Sequence, residues 1–448
     1  TTGNTEFVVL TGSAGVGKTA LIKDLQKSLK NEIVFISGKF ESLAQNDPYY
    51  AFLGAFQIFI NDIIELPEDE RNVWKEKIQN SLGSNISIFS EYLPELKILC
   101  GDQLPSVELG STETKNRLNN AFFEFLNTIY TEKQALVVFL DDLQWIDSAS
   151  LQLLNFLLVD SKCKNLMLIV AYRDNEVEPS HPLLKTLKEI ENNTNVLKHI
   201  HLEPLSIQAS KNLIKDTLGE ESKNLVELTY LLNAKTQGNP FFLKQILQLL
   251  YLQGYFKYNP EKNNWNWDLE EIRKVRFSEN IIELLSEQIE KVVEPTRSLI
   301  KICACLGSSF DTKKISLVNG EALTENNNVM WEAVRKGFII PLGKIFEGEK
   351  VNFINYFPTE NENIFYKFLH DKIQQAAHDL LSDDERRKIH LQIGKKLLEG
   401  FTGTEHKIFD IVKHFNLAES IITDTAERQN VAKLNLIAGK KAKDSTAY

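Results

Sequence analysis

Five short apolar runs, rich in β-branched residues, punctuate the first two hundred positions: residues 7–11, 33–37, 135–140, 166–172 and 199–202. They are nearly continuous in hydrophobicity rather than alternating, as in parallel strands covered on both faces, and stretches with helical spacing separate them. This predicts an α/β domain. Residues 40–115, between the second and third runs, read as helices, with AFLGAFQIFINDII as one of them. Three helical stretches follow between 206 and 254, ending at Gly219, Gly238 and Gly254, the residue type that stops helices in the left-handed conformation. Two aromatic-alternating runs around a polar turn, GYFKY and WNWDL about NPEKNN, predict a hairpin over 254–269. Residues 279–400 read as three helices, a hairpin of GFIIPL and VNFINYF, then IFYKFLH leading into a helix. Ser382, Asp383, Asp384 and Glu385 form a capping box for a further helix, with Gly400 as its stop. Helices with a small hairpin at one end predict a winged-helix domain, and the last forty residues are helical.

The loop after the first run carries chemistry. Gly12, Ser13, Ala14, Gly15, Val16, Gly17, Lys18 and Thr19 fit G-x-x-x-x-G-K-[ST], between a predicted strand and a predicted helix. Glycines let the backbone wrap closely around an anion, so that successive N–H groups and a helix N-terminus point at phosphate. Lys18 would reach the β- and γ-phosphates and the Thr19 hydroxyl would ligate Mg²⁺; Ala20 completes the nucleotide-binding set. A metal carboxylate is offered by LVVFLDDLQWID, an apolar strand ending in Asp141 and Asp142 where ligands of parallel sheets bind. Asp141 is the expected Mg²⁺ partner, and Asp142 the group that orients or deprotonates an attacking water. Asp147, before SASLQLL, reads as a helix cap. The run at 33–37 is placed between the glycine-loop strand and the acidic strand. The run at 166–172 ends in Arg173, positioned to sense a γ-phosphate or to pair at the surface with Asp174 or Glu176.

Composition narrows the class. Over 448 residues, 43% are hydrophobic and 25% charged, which excludes a disordered chain, a collagen-like repeat and a disulfide scaffold. A net charge of -10 disfavours a protein that coats nucleic acid or anionic lipid. No apolar run approaches the roughly 18 residues of a membrane span. Cys100 and Cys163 are isolated, and Cys303 and Cys305 lie in the apolar stretch SLIKICACLG without further ligands at metal spacing. Buried thiols in a reducing compartment are expected, hence a cytoplasmic protein. The opening at Thr1 rather than Met reads as a piece of a longer chain.

Taken together, GSAGVGKT, LVVFLDDLQWID, IVAYRDNEVEPSHPL and TQGNPFFLKQIL resemble the signal-transduction ATPases with numerous domains (STAND), AAA-related P-loop switches. GKFESLAQNDPYYAFLGAF, ELGSTETKNRL, WNWDLEEI and FLHDKIQQAAHDLL resemble the ATPase region of large hybrid signalling kinases, in which it follows a serine/threonine kinase domain and precedes a sensor domain and a histidine kinase. The resemblance implies an ASCE/AAA-like P-loop NTPase domain over 1–204, a helical lid over 205–253, a hairpin linker over 254–278, a winged-helix domain over 279–400 and the start of a helical repeat over 401–448. It implies ATP or ADP with Mg²⁺, Pro240 against the base or sugar, and Arg173 as the first sensor. In related switches a His in an M-H-D-like tripeptide touches the ADP β-phosphate; Leu369-His370-Asp371 is similar, and His370 is either that latch or a buried helix-start His. Arg117 either reaches a neighbouring molecule's nucleotide or makes a surface ion pair. The function implied is a slow ATPase acting as a switch on other domains of the parent protein, with a nucleotide-dependent homo-oligomer as a further partner. The alternatives are an ATP-driven DNA-binding regulator, against which the acidic charge argues, and an idle ATP-binding scaffold. No protein-kinase signature occurs in this sequence.

Overall fold

The computed structural model describes residues 5–29, 33–41, 47–101, 111–129, 135–160, 165–194, 196–219, 223–261, 264–275, 281–342, 363–399 and 408–444. They divide into two compact units, one within residues 1–11, 22–200 and 383–448, the other within 12–21 and 201–382.

The first unit is built on β1 (Glu6–Thr11), β2 (Ile33–Lys39), β3 (Ala135–Asp141), β4 (Leu166–Tyr172) and β5 (Leu197–His201) in the order β2-β3-β4-β1-β5. The pairs β1–β4, β4–β3 and β3–β2 are parallel. Phe7, Val8, Val9 and Leu10 are all buried in β1, so neither face of the strand meets water and no alternation is left for the sequence to show. One expectation is corrected: β4, not β2, lies between β1 and β3. The burial of the two strands explains the exchange. The β4 sequence LMLIVAY is buried at six of seven positions, whereas β2, ending Ser-Gly-Lys, is buried at one and takes the edge.

Helix α1 (Lys18–Ser28) follows the glycine loop. The stretch between β2 and β3 is helical as expected: α2 (Tyr50–Ile64), α3 (Glu68–Leu82), α4 (Asn85–Tyr92), α5 (Glu95–Cys100) and α6 (Ser111–Ile129). A phenyl cluster joins them, with Phe56–Phe125 and Phe89–Phe122 ring centroids 4.8 and 5.0 Å apart. Such tilted and edge-on pairs contribute about 0.5–1.5 kcal/mol beyond the area they bury. Helices α7 (Ser148–Asn155) and α8 (Pro182–Asn193) complete the layer. Asp147 caps α7 as expected, its carboxylate accepting from the Ser150 N–H at 2.7 Å.

The second unit holds α9 (Ile207–Leu218), α10 (Lys223–Thr236) and α11 (Pro240–Leu252), the hairpin β6 (Phe256–Asn259) and β7 (Asn264–Trp267), and α12 (Leu269–Lys274). Gly219, at φ +68°, supplies the left-handed stop of α9. Beyond lie α13 (Ile281–Glu290), α14 (Thr296–Leu306), β8 (Ser309–Asp311), α15 (Thr312–Asn319), α16 (Leu323–Arg335), β9 (Ile339–Leu342), β10 (Phe365–Phe368) and α17 (Asp371–Asp379). Among the described residues β9 pairs with β10, taken in sequence as a lead into a helix, and β8 completes an antiparallel sheet in the order β8-β10-β9. β8 has three residues, too few for period-2 alternation to be read. The strand expected at 351–357, Gly400 and Cys163 lie outside the described residues. Trp331, Tyr366, Ile300, Cys303 and Ile373 form the core here, and burial pushes the Cys303 thiol well up. Cys100, Cys303 and Cys305 are buried and not in disulfides. Among the described residues no helix is long and apolar enough to cross a membrane.

Helices α18 (Asp383–Glu399), α19 (Ile408–Leu417) and α20 (Thr425–Asp444) belong to the first unit, where α20 packs on α6. Near α19, Asp47 has its Oδ1 closed off from solvent, and burial together with the charges of Asp410 and Asp147 raises its carboxyl well above the usual range, against the opposing pull of Lys413. A carboxyl raised in this way holds its proton more tightly folded than unfolded. Its stabilising contribution is therefore present below the unfolded value and is lost as pH rises through the folded one. Asp47→Asn is expected to raise unfolding stability by about 1 kcal/mol at pH 8 and by less at pH 5, read from denaturant midpoints at the two pH values.

Candidate nucleotide site

The glycine loop lies in the second unit. Gly12, Gly15 and Gly17 have φ of +141°, +75° and +113°, a backbone that side-chain-bearing residues rarely adopt. At Gly12 a Cβ would also fall 2.5 Å from the Leu202 carbonyl oxygen. Ser13, Ala14 and Val16 fill the turn, and Val16 N–H donates to Ser13 O at 3.4 Å. Lys18 is buried, and its Nζ donates to Gly12 O at 2.6 Å and Ser13 O at 3.0 Å, so the amine is curled over the loop's own carbonyls. Thr19 and Ala20 stand in the first turn of α1, whose unpaired N–H groups and dipole favour an anion. The phosphates of a nucleotide fit this donor set: wrapped backbone amides, a buried ammonium and a helix N-terminus all suit phosphate.

Also in this unit, Pro240 is the first residue of α11 and Asn239 is its cap. His370 caps α17: the Lys372 N–H donates to its Nδ1 at 3.1 Å, and its ring stacks on Phe241 at 3.9 Å between centroids. That Nδ1 also lies against the Asp371 carboxylate, which requires a proton on it, whereas the cap requires none; the two are alternatives set by the tautomer. Of the sequence-derived residues, the glycine loop is thus joined through Asn239 and Phe241 to His370.

In the first unit, Asp141 ends β3 and Asp142 follows it, both buried. The Asp142 N–H donates to Asp141 Oδ1 at 2.9 Å. Asp141 also acts on α1, where its charge opposes the lowering that burial imposes on Lys23. A carboxylate oxygen in this place suits a hard cation such as Mg²⁺. Asp142 has left-handed φ and ψ of 57° and 46°, and three side chains fix it there. Arg173 Nε donates to Asp142 Oδ1 at 3.1 Å and its Nη2 to Oδ2 at 3.3 Å. Lys39, at the end of β2, reaches Oδ2 at 3.0 Å, and Gln144 Nε2 donates to Oδ1 at 2.9 Å. Gln144 Oε1 in turn accepts the Arg173 N–H at 3.2 Å.

Arg173 also pairs with Glu176 at 2.9 Å, but in the interior, at 6% exposure, rather than at the surface. A buried arginine here is compensated by two carboxylates, the condition under which burying a charge is tolerable. Lys39, Gln144 and Asn239 were not picked out in sequence. For Gln144 the signal was present, two residues past Asp142 in the same acidic segment; Lys39 and Asn239 reach partners far along the chain. Arg117 Nε and Nη2 donate to Asn85 Oδ1 and Ser84 O at 3.1 and 3.2 Å.

Comparison with known proteins bears on the class of the domain. A family model described as the AAA ATPase domain matches residues 1–170. A hybrid signal transduction histidine kinase of Dictyostelium discoideum is 27% identical over the whole of this chain, which spans 16% of that protein. A peroxide stress-activated histidine kinase of Schizosaccharomyces pombe is 21% identical over 92% of this chain and 18% of its own length. Among solved structures, a STAND protein with a tetratricopeptide repeat sensor from Pyrococcus horikoshii is similar at 12% identity and a TM-score of 0.48, over 99% of this chain and 50% of that one. The chain thus spans under a fifth of the length of these kinase relatives. Residues 1–170 thus match an AAA ATPase domain, and the chain as a whole is similar to segments of hybrid signalling kinases.

Proposed function

We propose that this region is an ATP-binding, slowly hydrolysing switch that regulates other domains of a large signalling kinase. The observation that carries the reading is the glycine loop: three positive-φ glycines ahead of a buried Lys18 at a helix start. In this reading Gly12 to Ala20 cradle the phosphates, Thr19 and Asp141 hold Mg²⁺, and Pro240 lies against the base or sugar. Bound Mg²⁺ would neutralise phosphate charge; the chain's own part is to hold and orient the triphosphate and to place a carboxylate, Asp142, for an attacking water. Arg173 would exchange its partner Asp142 for the γ-phosphate, so that ATP and ADP favour different arrangements. The three-stranded sheet β8-β10-β9 with α14 to α16 supports a winged-helix assignment, between a lid at 205–253 and helices from 401 onward.

The test is calorimetric titration of the purified chain with ATP and ADP in the presence of Mg²⁺, beside Lys18→Ala. Micromolar binding by the native chain and at least a 100-fold loss in the variant are expected, since the ammonium meets phosphate directly. Equal affinity in the two proteins would remove the site assignment.

A further inference from the structure

The structure assigns to Asn239 the role of a positioning residue: it is a clip that holds the glycine loop in its phosphate-binding form and links that loop to the start of α17. Asn239 is 8% exposed, and its amide uses both ends. Nδ2 donates to Ala14 O at 2.7 Å, across 225 residues of sequence. Oδ1 accepts from the N–H groups of Phe241 at 3.1 Å and Phe242 at 3.3 Å, capping α11. The Phe241 N–H also reaches Gly15 O at 3.4 Å. Two successive loop carbonyls, those of Ala14 and Gly15, are therefore tied to one helix start.

The fit is close. A Cβ on Gly15 would lie 2.9 Å from Asn239 Oδ1 and 3.0 Å from Phe241 Cβ, so the loop packs directly on the clip. Turning the Ala14 carbonyl toward α11 leaves the Gly15 N–H of the same peptide to face the other way, as an anion cradle requires, while the Val16 N–H donates to Ser13 O. Phe241 carries the connection onward through its stack on His370. His370 accordingly acts on the loop through Phe241, and a change in loop conformation is passed to α17 by ring contact.

The clip and the cap are separable. Asp at 239 keeps the acceptor for both α11 amides but sets an oxygen against Ala14 O; Ser keeps a short cap and withdraws the donor. This inference rests on the nucleotide reading above, so three measurements are made on the native chain, Asn239→Asp, Asn239→Ser and Lys18→Ala: thermal unfolding, amide exchange of residues 13–17 without nucleotide, and ADP affinity. Both Asn239 variants are expected to melt near the native chain, to exchange at least tenfold faster in the loop and to bind ADP about tenfold more weakly, with Asp the more affected. Loop exchange and affinity within twofold of native in the folded Ser variant would overturn the clip. So would loss of native-like melting in both variants, which would make Asn239 a folding residue only. If the native chain binds ADP and Lys18→Ala does not while the Asn239 variants are unchanged, the clip alone fails. If the exchange rises as expected but the native chain binds no nucleotide, the clip stands and the nucleotide reading fails.

Discussion

Asp142→Asn is expected to bind ATP within a few-fold of the native affinity and to turn it over at least 100-fold more slowly. The amide cannot take a proton from water, and a positioned general base contributes about 10²–10⁴ in rate. The same substitution disturbs a charge balance. Asp142 is the bidentate partner of buried Arg173, and loss of its charge removes one of the two carboxylates that Arg173 meets among the described residues, Glu176 being the other. Removing one partner of a buried pair costs up to about 3–5 kcal/mol; here Glu176 and the remaining amide oxygen offset part of that, so a loss of about 1–3 kcal/mol is expected. Steady-state phosphate release and chemical denaturation measure the two effects. Unchanged turnover with reduced stability would make Asp142 an anchor for Arg173 and not the base.

The second large effect is expected at Gly38→Ala. A Cβ there would lie 1.9 Å from the Ala51 carbonyl oxygen and 2.7 Å from its carbon, so β2 and the first turn of α2 cannot both stay in place. The obstacle is backbone on both sides, and no side chain can rotate away. Overpacking of this kind costs about 1–3 kcal/mol and more when the backbone must move; about 3 kcal/mol or more is expected, a fall in melting temperature on the order of 10 °C for a unit of this size. Lys39 follows Gly38 and reaches Asp142, so turnover should fall along with stability. A melting temperature within 2 °C of native would show that β2 and α2 slide apart readily.

How far the sequence disclosed this molecule depends on the range of the interaction concerned. The glycine loop was legible because its turn is written in eight consecutive residues and its glycines answer to local φ. Strands β1, β3 and β4 were legible because burial on both faces leaves continuous apolar runs. The position of β2 at the edge was not, since strand order is decided by which strand best fills the middle of a sheet, a comparison among strands rather than a property of one. Lys39 and Asn239 were missed for a related reason: each side chain is ordinary for its own segment and gains meaning only from a partner 103 or 225 positions away. His370 was singled out by resemblance, and its stack on Phe241 was not foreseen because nothing in Leu369-His370-Asp371 points to α11.

The span between Ala14 and Asn239 bears on how the protein is made. At about 5–20 residues per second, a ribosome takes roughly 10–45 s to travel from one to the other. Throughout that interval the nascent segment carries its glycine turn without the amide that restrains it, and any nucleotide it meets encounters a floppy acceptor. Competence to bind is thus acquired by the growing polypeptide at a late, definite moment, when α11 emerges and closes the turn written near the start of the message.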